Sequence, residues 1–288
     1  MTHLRSCCSH AALSAWGKAR RQLVLRREIL HRVAVASAGA TVLVVLTAVS
    51  AAAEDVRFAT RDGVELAGTF YAAPASPAPA VLLLHGLGQN RQGWDPFARL
   101  LQREGMAVLA VDLRAHGESV KQQTAQGLVR LDVSAFRPND FQNMLIDINT
   151  AYDWLADREG VDHQRIGIAG ASLSANLAAR YAVFNEDVAA LVLFSPGLRY
   201  REVRADDAII ELGDVPLRIY VGVNDSFAYE SSKKLVELRR EGGKPFAEDT
   251  LIVCTGSLHG AQLLQGVDGL AQQIAGWLKQ TLASKPAP

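Results

Sequence analysis

The chain has 288 residues, 49% of them apolar and 21% charged, with three cysteines and no formal net charge. That length and apolar content suffice to bury a full core without staples, which excludes a disordered tail, a collagen-like repeat and a disulfide miniprotein. The charge is unevenly spread: residues 1–53 carry seven Lys or Arg and one acid, whereas the other 235 residues hold 23 bases and 29 acids. The body is therefore mildly acidic and lacks the basic surplus expected of a nucleic-acid binder.

Residues 18–32 are basic and precede an uncharged run over residues 33–53 that closes on Ala51-Ala52-Ala53. Basic, apolar and small-residue regions in that order describe an export signal, cut after the A-x-A end. The mature protein is then periplasmic or secreted. The alternative is an uncleaved anchor in the inner membrane, since 21 uncharged residues just span a bilayer. Arg26-Arg27 resembles the pair of a twin-arginine signal, with Leu25 where Ser or Thr is usual. Cys7 and Cys8 leave with a cleaved leader. Cys254 stays alone in the apolar run Leu251-Ile252-Val253-Cys254 and reads as an inert core thiol.

From residue 54 onward strands and helices alternate. Residues 56–60 and 64–71 read as strands joined at the turn Arg61-Asp62-Gly63. A proline-bearing loop over residues 72–80 follows, then a fully apolar strand over residues 81–84. Helical spacing appears over residues 95–104 and 140–158, the second with Met144, Ile148, Ala151, Tyr152 and Leu155 on one face. Residues 106–111, 165–169, 189–194, 217–223 and 250–254 read as strands. Residues 173–182 and 231–240 read as helices, and residues 261–282 hold the last one. This alternation predicts an α/β domain over residues 54–288, with a mostly parallel sheet and helices on both faces.

In such a sheet the chemistry lies beyond the carboxyl ends of the strands. There, Gly170-Ala171-Ser172-Leu173-Ser174 follows one strand and opens a helix. A tight strand-to-helix turn thrusts the Ser172 hydroxyl outward, and the next backbone N–H lies at a helix N-terminus. The usual pattern is G-x-S-x-G, and Ser174 stands at its last position. Asp225 follows the strand ending Val221-Gly222-Val223, and His259 follows the final strand in Gly256-Ser257-Leu258-His259-Gly260. A serine hydroxyl is a weak nucleophile and needs a base in reach; imidazole is such a base, and a carboxylate fixes its tautomer. The bland reading is two polar loop residues near a helix-capping Ser172. A Gly-rich turn, His85-Gly86-Leu87-Gly88, follows the third strand and can aim a backbone N–H at a developing oxyanion. His85 and His116 read as structural, and His163 as an exposed loop residue. His85, Asp112 and His116 show no short ligand spacing, so no metal is expected.

These motifs together resemble the α/β-hydrolase superfamily over essentially all of residues 54–288, and within it small bacterial dienelactone-hydrolase-like and esterase-like serine hydrolases. The matching residues are the His85-Gly86-Leu87-Gly88 turn, residues 112–119, the elbow at Ser172, Asp225 and His259. The resemblance implies an α/β-hydrolase fold with an eight-stranded sheet. It also implies a Ser172–His259–Asp225 triad and an oxyanion hole from the N–H groups of Leu87 and Leu173. It implies hydrolysis of a small-molecule ester through an acyl-enzyme on Ser172, with no cofactor. Membrane contact would come only through residues 33–53 if they stay uncleaved. Peptidase or acyltransferase chemistry on the same triad, or a non-catalytic ligand-binding relative, are the alternatives. Only residues 195–216 separate the sixth and seventh strands, too few for a large cap domain. Residues 120–141 read either as a flap at the rim or as a long packed loop.

Overall fold

Two strands, β1 (Glu54–Ala59) and β2 (Val64–Tyr71), pair antiparallel around the turn at Gly63. The strands β3 (Ala78–Leu84) and β4 (Ala107–Val111) flank a single 3-10 turn and α1 (Asp95–Arg103). The hairpin β5 (Lys121–Thr124) and β6 (Gly127–Arg130) precedes α2 (Pro138–Ala156). Next come β7 (Val161–Ala171), α3 (Leu173–Phe184) and β8 (Val188–Phe194). A small hairpin, β9 (Arg199–Tyr200) and β10 (Val203–Arg204), and α4 (Asp206–Glu211) lead to β11 (Leu217–Gly222). The chain closes with α5 (Ser226–Glu241), β12 (Leu251–Cys254), α6 (Leu263–Gly266) and α7 (Leu270–Ala283). The computed structural model describes residues 53–243 and 250–283, so the leader expected over residues 1–53 lies outside the described residues apart from Ala53.

The sheet order is β12-β11-β8-β7-β3-β4-β2-β5-β6, with β1 on the other edge of β2. The six strands from β12 to β4 run parallel. Their apolar runs have no polar break because both faces are covered. Leu82, Leu84, Leu109 and Val111 join the core under α2, α3, α4 and α5. Val81, Leu83, Val108 and Ala110 alternate with them and pack on the opposite face under α1 and α7. Each fully buried Val or Leu in these strands contributes about 1.5–3 kcal/mol.

The mostly parallel sheet, the helices on both faces and the lack of a large cap agree with the expectation. The strand count does not: among the described residues the sheet has ten strands, not eight. The added pair is β5–β6, in the segment expected to be a flap or packed loop. β4 covers only Gly68–Tyr71 of β2, and β5 takes the vacant stretch at Val64 and Glu65. Unpaired backbone groups on a strand edge favour such an addition. Between β8 and β11 there is only the β9–β10 hairpin and α4. Cys254 is a buried free thiol, as expected, and burial raises its pKa.

Candidate active site

The strand order sets the site. β3, β7, β8, β11 and β12 end side by side, and the residues just beyond them are His85, Ser172, Ser195, Asp225 and His259. Ser172 sits at φ 55°, ψ −121°, a left-handed conformation that costs a non-glycine residue free energy. Its N–H is held by Phe194 O at 2.8 Å, which extends the β7–β8 ladder by one rung into the turn. Gly170 is required by close approach: a Cβ there would lie 2.4 Å from Ser174 O.

Ser174, the departure from the usual elbow pattern, is buried, and its hydroxyl donates to the main-chain oxygen of His85. The serine thus ties the first turn of α3 to the turn after β3. Gly86 closes the same gap: a Cβ on it would sit 3.5 Å from the Ser172 Cβ. The N–H groups of Leu87 and Leu173 have no partner among the described residues. Leu173 follows Ser172 directly as the first residue of α3, and Leu87 follows Gly86, the residue on which a Cβ would touch Ser172.

Glycine also brings Asp225 and His259 together. A Cβ on Gly222 would lie 2.8 Å from Leu258 O and 2.9 Å from Gly256 O, so the loop leading to His259 crosses directly over the end of β11. Val223 N–H and Asn224 N–H donate to Cys254 O and Gly256 O, which fastens the two loops to each other. In this arrangement His259 Nδ1 lies 2.6 Å from Asp225 Oδ2, and Nε2 lies 2.8 Å from Ser172 Oγ. An ionised carboxylate only accepts, so Nδ1 carries the hydrogen and Nε2 is free to accept from the serine. Asp225 is largely buried, whereas His259 is about two-fifths exposed and open to a ligand.

The structure also places residues that the sequence reading passed over. Ser195 is buried at φ 48°, and its Oγ accepts the Gly260 N–H at 2.9 Å, next to His259. Tyr200, on β9, meets the His259 ring edge-to-face at 6.4 Å between centroids. Burial pushes the Tyr200 phenol up, the Asp225 carboxylate adds to this, and the Ser172 hydroxyl works against it. Phe227 lies 5.4 Å from the Tyr200 ring. The sequence signals were an aromatic between the sixth and seventh strands and another two residues past Asp225; neither marks a site without the fold.

His85, His116 and Asp112 serve the scaffold. The His85 and His116 rings pack 4.9 Å apart. Asp112 accepts from Arg91 N–H at 2.7 Å, from the Arg91 guanidinium and from Glu118 N–H at 2.9 Å. Among the described residues no group of three or more His, Cys, Asp or Glu is placed to hold a metal ion.

A family model described as the alpha/beta hydrolase family matches residues 81–286. A thiohydrolase of Aspergillus aculeatus, aneE, is 29% identical over 161 residues, covering 55% of this chain and 46% of that protein. The chain therefore spans about half the length of that relative. YfhR of Salmonella typhimurium, an uncharacterized protein, is 26% identical over 224 residues, covering 66% of this chain and 71% of its own. Among solved structures, an esterase of Pyrococcus furiosus superposes with a TM-score of 0.62 at 20% identity, over 80% of this chain and 93% of that one. Dienelactone hydrolase of Anabaena variabilis gives 0.59 at 21% identity, over 80% and 97%. At these identities the structural matches establish the fold.

Proposed function

The chain belongs to the alpha/beta hydrolase family, and from that premise we propose that it is a serine hydrolase cleaving carboxylic esters through an acyl-enzyme on Ser172. The observation that carries the reading is the continuous hydrogen-bond chain Ser172 Oγ, His259 Nε2, His259 Nδ1, Asp225 Oδ2 at 2.8 and 2.6 Å. The esterase and thiohydrolase among the similar proteins support it.

Ser172 Oγ attacks the carbonyl carbon as His259 Nε2 takes its proton. The carbonyl oxygen becomes an oxyanion held by the N–H groups of Leu87 and Leu173. One such donor contributes about 3–4 kcal/mol to transition-state stability. Asp225 holds Nδ1–H and stabilises the imidazolium. His259 then returns the proton to the leaving alcohol, and the acyl–oxygen bond breaks. Water repeats the sequence on the acyl-enzyme and releases the acid. A thioester enters by the same attack with sulfur as the leaving atom.

The test is labelling of the full chain with a fluorophosphonate, alongside hydrolysis of matched esters and thioesters. Wild type should label; Ser172→Ala should not, and its turnover should fall on the order of 10^3-fold or more. Absence of labelling in folded wild-type protein would sink the assignment and favour a ligand-binding relative. Added alcohols that divert most of the acyl product from acid to ester would move the reading to acyltransferase. The proposal includes export through residues 1–53 or anchoring by residues 33–53, which N-terminal sequencing and fractionation of the cellular protein distinguish.

A further inference from the structure

Phe227 is the only aromatic ring among the large apolar side chains left exposed in the described residues, at 56%. It stands two residues past Asp225, in the first turn of α5. One side of its ring meets Tyr200, and Tyr200 in turn stands edge-on to His259 with an interplanar angle of 89°. An aromatic surface thus runs without a break from His259 outward to solvent.

The surface is held in place from below. A Cβ on Gly197 would lie 2.7 Å from Tyr200 Cε2 and 2.9 Å from Phe227 Cε1, so both rings rest on bare backbone. Gly197 N–H donates to Oδ1 of the buried Asn176 at 3.1 Å, and Asn176 Nδ2 donates to Val203 O at 2.9 Å. One α3 side chain, a turn past Ser172, therefore fixes both ends of the segment that carries Tyr200. The Tyr200 hydroxyl reaches Ser195 O at 3.4 Å. A rigid, exposed ring beside a reacting centre provides apolar contact with little ordering entropy left to lose.

Which part of an ester lies there follows from proton traffic. His259 Nε2 must reach the leaving atom to return the proton, so the leaving group departs on the His259 side. The oxyanion donors Leu87 and Leu173 hold the carbonyl oxygen instead. We infer that Tyr200 and Phe227 form the leaving-group subsite, and that the natural substrates are esters or thioesters whose leaving group is flat and apolar, an aryl group above all. This inference rests on the acyl-enzyme reading of Ser172.

The test compares 2-naphthyl acetate with ethyl acetate on the full chain. The value of kcat/KM reports events up to acyl-enzyme formation, where the leaving group is still present. In Phe227→Ala the ratio of kcat/KM for the naphthyl over the ethyl ester should fall about tenfold, and Phe227→Trp should restore it. Tyr200→Phe keeps the ring and should keep the ratio. The acetyl-enzyme is common to both esters, so its hydrolysis rate is the second readout. A selectivity loss that appears instead in hydrolysis of acyl-enzymes of different chain length would move the wall to the acyl side and overturn the inference. An unchanged ratio in Phe227→Ala, with Ser172 still labelled, overturns the inference and leaves the hydrolase reading standing. Failure of wild type to label overturns both.

Discussion

Ser174 donates its hydroxyl hydrogen to the main-chain oxygen of His85, joining the nucleophile turn to the turn that carries Leu87. The usual glycine at this position has no such donor. The serine is therefore a fastening between the two halves of the proposed oxyanion hole. Ser174→Ala should lower stability by about 1–2 kcal/mol, the cost of removing one partner of a buried hydrogen bond. Ser174→Gly restores the commoner pattern yet should be less stable still, by roughly 0.5–1 kcal/mol, because it adds backbone freedom inside α3. Urea denaturation measures both. A glycine variant as stable as wild type would show that the bond contributes nothing.

A second fastening lies on the other side of Ser172. Ser195 Oγ accepts the Gly260 N–H and so holds the backbone next to His259 against the end of β8. The residue is kept at φ 48°, where an L-residue is disfavoured by roughly 1–2 kcal/mol. Ser195→Ala keeps that cost and loses the acceptor; Ser195→Gly loses the acceptor and relieves the cost. Both should reduce kcat about tenfold, while the glycine variant melts at the higher temperature of the two. Fluorophosphonate labelling of Ser195→Ala at the wild-type rate would remove Ser195 from the positioning of His259.

Asp225→Asn isolates the tautomer. An amide that donates to Nδ1 leaves the hydrogen on Nε2, facing Ser172 Oγ, where it cannot accept the serine proton. With packing nearly unchanged, kcat should fall on the order of 10^3–10^4-fold while the melting temperature stays near wild type. Steady-state kinetics and calorimetry on one preparation decide it. A loss below about tenfold would mean that another group orients His259.

The sequence was most legible where a single local rule decided the outcome. β3, β4 and β8 are apolar runs buried on both faces, and the Gly170–Ser174 turn announces itself by its neighbours. Where two distant segments had to meet, the signal was absent. The polar run Lys121-Gln122-Gln123-Thr124 carries no strand pattern; it pairs because β4 leaves the Val64 and Glu65 stretch of β2 uncovered. α5 begins at Ser226, five residues before the apolar periodicity that suggests it, because Tyr229 N–H donates back to Asp225 O. Tyr200 and Phe227 meet over Gly197, a contact that neither residue's neighbours foreshadow.

His85 gives a prediction about pH. Its Nδ1 lies 2.8 Å from Gly86 O, and its Nε2 lies 3.1 Å from Leu113 N, whose N–H it accepts. The ring is thus neutral with its hydrogen on Nδ1; a proton on Nε2 would break the Leu113 bond and charge a buried site beside His116. Burial, with His116 adding to it, pushes the His85 pKa down from 6.5 to about 4. Between these values the unfolded chain holds a proton that the folded chain does not, so stability rises with pH. The contribution is complete above about pH 6.5 and is lost as the pH falls toward 4. Other groups titrate in this window, so the readout is the difference between wild type and His85→Gln, whose amide accepts the Leu113 N–H without titrating. Urea melts at a series of pH values should show the stability advantage of wild type shrinking by on the order of 2–3 kcal/mol from pH 6.5 to 4. Parallel curves would mean that His85 carries the same charge folded and unfolded.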